Sequence, residues 1–87
     1  MGSKTFDGVW FISYSDDHPP AHVHGSYAET VVIVDLLAGG TTGQSARGDA
    51  VQPANAKRGD VRHILKTAES HAAELLALWE KTHGSAS

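Results

Sequence analysis

The chain has 87 residues, a formal charge of −3 with its six histidines neutral, and no cysteine. That length supports one domain with a modest core, so a deep active-site cavity inside a single copy is not expected and a homodimer interface is a reasonable place for a site. The missing cysteines exclude disulfides and thiolate metal sites, the net acidity argues against sequence-blind nucleic-acid binding, and no apolar run reaches the ~20 residues that span a bilayer.

The same features fit a cytoplasmic protein without a membrane partner, and no basic-then-apolar leader precedes the first patterned segment. One domain is expected over residues 1–87, with an ordered core over about 6–83. Met1-Gly2-Ser3 and Gly84-Ser85-Ala86-Ser87 are small and polar and read as frayed ends.

In chain order, Phe6 to Tyr14 reads as a first strand, with Val9, Phe11 and Ser13 on one face and Trp10, Ile12 and Tyr14 on the other. A loop over Ser15 to Pro20 follows. Ala21 to Gly25 is expected to be a second strand, with a turn over Gly25 to Ala28. Glu29 to Leu37 carries the run Val31-Val32-Ile33-Val34, the strongest β signal in the chain. Ala38-Gly39-Gly40 ends it. Thr41 to Ala46 reads as a short edge strand and Arg47 to Asn55 as a loop.

The remainder reads as one long helix. Val61, Leu65, Ala68, Ala72, Leu75 and Trp79 recur at three and four residues, flanked by Ile64 and Leu76. Asp60 is the expected N-cap, Gly59 a break before it, and His83 with Gly84 the closing signal. The fold class is therefore α+β: a three- to four-stranded, mostly antiparallel sheet packed against one C-terminal helix.

Chemistry concentrates in Asp16-Asp17-His18-Pro19-Pro20-Ala21-His22-Val23-His24-Gly25, which holds three of the six histidines. In an extended strand the spacing of His22 and His24 sends both rings to one face and Val23 to the other. Two such imidazoles can close on a divalent transition metal such as zinc, with His18, Asp16, Asp17 or His71 as a third ligand. They can also act as a general acid–base pair on RNA, with Arg47, Lys57, Arg58, Arg62 and Lys66 meeting phosphates. Alternatively they bond to Asp16, Asp17 or backbone carbonyls and order a strand edge that pairs with a protein partner or a second copy.

His71 falls at the margin of the helical stripe, where it either bonds to the sheet or faces His22 and His24. His63 reads as solvated, His83 as scatter, and Trp79 as core. Arg58, Arg62 and Lys66 form a like-charged line at four-residue spacing, which is either a solvated face or a surface for an anionic partner.

The stretch Asp17-His18-Pro19-Pro20-Ala21-His22-Val23-His24, with His71 and Trp79 eight apart near the end, resembles a small bacterial family, domain of unknown function 4160. Val23 replaces the usual aromatic, Ala21 is extra, and Thr67 stands where an aromatic is frequent. The resemblance spans about residues 6 to 82. It implies an antiparallel α+β fold and a toxin–antitoxin-like context with a partner encoded nearby. The residues themselves point to a His-rich strand edge of Asp17, His18, His22 and His24, with His71, as the surface that such a partner binds.

Overall fold

The computed structural model of the chain describes residues 2–83. It opens with a hairpin of β1 (Gly2–Phe6) and β2 (Val9–Ser13), joined by Asp7 and Gly8 at φ +49° and +80°. Positive φ at both central positions matches the right-handed twist of the strands, and Asp-Gly is the dipeptide that best accepts it. The single strand expected over Phe6 to Tyr14 is thus two, and Gly2 and Ser3 belong to the sheet rather than to a frayed end. Residues 84–87, including the expected helix stop at Gly84, lie outside the described residues.

A second hairpin joins β3 (His22–Tyr27) to β4 (Thr30–Leu37) through Ala28, at φ +54°, and Glu29. A 3-10 turn over Ala38–Gly40 leads to β5 (Thr41–Gln44), with Gly39 and Gly40 taking the positive φ that the reversal needs. The expected loop over Arg47 to Asn55 contains β6 (Val51–Gln52), which pairs with Val31 and Val32 of β4. Eight residues make β4 long enough to serve β5 at one end and β6 at the other. Ile33 bridges the two, accepting from Ser45 N at 3.0 Å and donating to Ala50 O at 2.7 Å.

The sheet is antiparallel in the order β1-β2-β3-β4-β5, with β6 beside β4. It exceeds the three to four strands expected, because two short strands, β1 and β6, lie within stretches that look like tail and loop. The helix is likewise two: α1 (Arg58–Ser70) and α2 (Ala72–Thr82), broken at His71 with φ −121° and ψ 28°. Neither Gly nor Pro marks this break. Its cause is tertiary: α1 lies over β3, β4 and β5, whereas α2 reaches across β1 and β2 as well as β3 and β4. A twisted sheet this wide turns away beneath one straight helix.

The core joins Val9, Phe11, Val23, Val32 and Val34 of the sheet to Ile64, Ala68 and Leu75 of the helices. Phe11, Gly25 and Val32 form one row across β2, β3 and β4. A β-carbon on Gly25 would stand 2.7 Å from Ile64 Cγ2 and 2.9 Å from Phe11 Cε1. Gly25 is therefore not the expected turn glycine. It is the gap in the sheet that admits those two side chains.

Of the expected helical stripe, Ala68, Ala72, Leu75 and Trp79 are buried as the spacing predicts, and its outer members differ. Ile64 and Leu78 are buried, Val61 and Leu65 are half-buried, and Leu76 is exposed. Lys57, not Asp60, occupies the N-cap position. Gly59 lies inside the first turn, and Asp60 accepts a long 3.4 Å bond from Thr30 Oγ1. Among the described residues no helix is long and apolar enough to cross a membrane.

Candidate metal centre

Alternation along β3 places Val23 and Gly25 toward the helices and His22 and His24 on the other face. The ring centroids of the two histidines lie 5.5 Å apart. The loop between β2 and β3 folds back to meet them. A turn sets its path: Asp17 N donates to Tyr14 O at 3.1 Å, and Tyr14 N approaches Asp17 Oδ2 at 3.4 Å.

Asp17 Oδ2 then stands 3.5 Å from His22 Nε2 and 3.5 Å from His24 Nε2. This is longer than the 2.7–3.2 Å, or about that, of an N–H···O hydrogen bond. Neither Nε2 has a hydrogen-bond partner, and both are shut off from solvent. The three ligand atoms lie within 4.8 Å of one another.

The proton on His22 is fixed by its other nitrogen. Nδ1 is 2.9 Å from Pro20 O. A carbonyl only accepts, so Nδ1–H donates, and in the neutral ring Nε2 is left with a lone pair aimed at a carboxylate oxygen. Two electron-rich atoms at 3.5 Å in a buried place call for a positive charge between or beside them.

The pKa of His24 is lowered, first by burial and also by His22 and Arg47, against the opposing pull of Asp17. Its neutral, ligating form is favoured. The linkage follows: the unfolded chain binds more protons at His24 than the folded chain once pH falls below 6.5, so folding stability rises with pH through that window and is lost on acidification. Denaturant unfolding of metal-free protein should therefore show falling stability below pH 6.5, with the fall between about pH 6.5 and 5 reduced in His24→Gln.

The surroundings hold the loop in place. The Tyr14 ring meets His24 edge-on at 5.0 Å, and the Trp79 ring lies 5.3 Å from His22. His83 stacks on Trp79 at 3.6 Å. Its Nε2 lies 3.0 Å from Asp17 O and its Nδ1 2.8 Å from Trp79 O. The end of α2 is thereby tied to the backbone of the acidic residue.

His83 and Trp79 thus have roles that the sequence reading missed. Their only signal was a four-residue spacing that also suits an ordinary helix end. His83→Ala should weaken metal binding by about tenfold without removing a ligand, as losing an outer partner does, and a zinc titration checks it.

Of the residues singled out from sequence, the structure brings together Asp17, His22 and His24. His18 is exposed and outside the cluster. It lines an adjoining cleft of ≈ 450 Å³ with Asp16, Asp35 and Arg47. His71 is also outside the cluster: it stacks on Phe6 at 3.9 Å and its Nδ1 is 3.1 Å from Glu74 Oε2, which lowers the Glu74 pKa. His63 is not free in solvent. Its Nε2 is 2.9 Å from Asp7 O, and its ring meets Tyr27 at 4.4 Å.

Nor is the His22–His24 strand a sheet edge. β3 is paired on both sides, by β2 and β4, so its backbone has no free ladder to offer a partner.

Fold and site together define a small antiparallel α+β domain with one carboxylate and two imidazoles gathered under a loop anchored by a helix end. The family model of the domain of unknown function DUF4160 matches residues 8–80, and the chain belongs to that family. No curated protein and no solved structure matches it.

Proposed function

We propose that the protein binds one divalent transition-metal ion, zinc by preference, through Asp17 Oδ2, His22 Nε2 and His24 Nε2. The observation that carries the reading is the pair of buried, partnerless Nε2 atoms converging at 3.5 Å on one carboxylate oxygen. Ligands about 2.0–2.1 Å from a tetrahedral ion stand about 3.3–3.5 Å from one another. The spacing suits coordination better than direct hydrogen bonding. The Pro20 carbonyl supplies the outer contact that orients a ligating histidine and fixes its tautomer.

One carboxylate and two neutral imidazoles suit zinc, and three protein ligands leave a fourth position for water. Metal-free acid–base cleavage of RNA gains less support, because neither Nε2 meets solvent and Asp17 lies between them. A protein partner, as the family resemblance suggests, would need a surface other than the paired strand β3.

Zinc titration of chelator-stripped protein tests the reading. One equivalent should bind, and at a hundredfold excess over Kd the linkage adds about 2.7 kcal/mol, or roughly 10–20 °C in melting midpoint. His18→Ala and His71→Ala should bind as the parent does. Absence of a thermal shift, or equal binding by a His22→Ala/His24→Ala double variant, would overturn the assignment.

A further inference from the structure

We infer that the groove between α1 and the edge strand β5 is a docking site for an extended acidic segment of a protein partner. The groove has a volume of ≈ 960 Å³ and is lined by none of Asp17, His22 and His24, although Arg47 lies between it and the cleft beside them. Four of the chain's seven lysines and arginines line it: Arg47, Arg58, Arg62 and Lys66. Glu69 is the single carboxylate in its lining. A chain of net charge −3 has thus gathered most of its cations on one surface.

Arg47 is already engaged, forked to Asp49 at 3.1 and 3.3 Å. Among the described residues Arg58, Arg62 and Lys66 form no ion pair. They are exposed and stand at four-residue intervals on α1. Like charges at that spacing weaken a helix, so the line gains nothing from folding.

Three features favour an extended protein segment over nucleic acid. The floor is aliphatic, with Val61 and Leu65 half-buried beside Val51, and no aromatic side chain lines the groove to stack on a base. Thr42, Gly43 and Gln44 of β5 line the groove together with residues of the 47–56 connection, and β5 is the last strand in the sheet order, with no strand partner on its outer side among the described residues. A free edge beside a helix is the setting in which an extended chain adds as a further strand.

The repeats also agree. Cations four residues apart on a helix recur about every 6 Å, and side chains on one face of an extended chain recur about every 6.6–6.8 Å. Carboxylates at alternate positions of the segment therefore meet Arg58, Arg62 and Lys66 in step. Glutamate suits the site, since its methylenes cover Val61 and Leu65 while its carboxylate reaches the rim.

Selection from a random peptide library displayed against the full chain tests this independently of the metal. The expected result is enrichment of Glu or Asp at alternate positions, with binding of a selected synthetic peptide weakened about tenfold or more in Arg62→Glu/Lys66→Glu. Both replaced side chains are exposed, so this variant keeps the fold. Hydrogen exchange on the complex should show new protection at Thr41–Gln44. Enrichment of basic or aromatic residues, no enrichment at all, protection placed elsewhere, or tighter binding of oligouridine with the same dependence on Arg62 and Lys66 would each overturn the proposal. The last outcome would assign the groove to nucleic acid instead.

Discussion

His24→Ala should lower zinc affinity by at least about 100-fold while leaving the fold intact, a larger loss than an outer-sphere change produces. The residue supplies one of only three protein ligands, so its removal leaves a two-point chelate. Its side chain is 23% exposed, and the core on the helix side of the sheet does not depend on it. Asp17→Asn isolates charge from shape. The amide keeps the volume and the backbone contact to His83, but it withdraws the anionic oxygen on which both nitrogens converge. It too should lose high-affinity binding. Calorimetric titration reads both, and near-ultraviolet circular dichroism of Trp79, beside His22, reports whether the pocket persists. Parent-like affinity in His24→Ala would show that this ring is not a ligand.

Gly25→Val should destabilise the domain by about 3 kcal/mol or more, lowering the melting midpoint by roughly 10–20 °C. Backbone conformation is not the reason, since Gly25 is ordinary extended strand. The reason is volume. The added β-carbon alone would approach Ile64 Cγ2 at 2.7 Å and Phe11 Cε1 at 2.9 Å, and both side chains are fully buried. Neither can retreat into solvent, so α1 must lift or the β2–β3 pairing must shift. Gly25→Ala should cost less, with the same sign. Trimming the obstacle supplies the internal control: Gly25→Ala in an Ile64→Ala background should cost less than in the parent, a coupling that a thermodynamic cycle measures. Full additivity of the two changes would contradict this packing account.

What could be read in the sequence follows where local signals were strong. The β-branched run in β4 and the histidine alternation in β3 stand as expected, because period-2 patterning and a neighbouring hairpin agree. The edge strand β5 is also found, over Thr41–Gln44. The first hairpin was missed although Asp7-Gly8 is a strong turn signal, because Gly2-Ser3-Lys4-Thr5 has too little apolar character to suggest a strand. The break at His71 had no local signal at all. Both helices share one apolar periodicity, and only the twist of the sheet beneath them requires two axes. β6, two residues long, is held by its pairing to β4 rather than by its own composition.

The site divides in the same way. Asp17, His22 and His24 are near in sequence, and alternation alone puts the two rings on one face. His18, equally near in sequence, is exposed and lies outside the cluster. Trp79 and His83 reach the site only through tertiary packing. Burial was the quantity least available from sequence, and it decides the chemistry here. A solvated His-x-His pair would satisfy its nitrogens with water, whereas these two nitrogens are buried, face one carboxylate oxygen and have no hydrogen-bond partner.

The most direct measurement is anomalous X-ray scattering at the zinc edge from crystals of protein loaded with one equivalent of zinc. The account predicts a single strong peak about 2.0–2.2 Å from Asp17 Oδ2, His22 Nε2 and His24 Nε2, with the His22–Pro20 contact retained. No peak there, or a peak at His18, His71 or His83 instead, would contradict it.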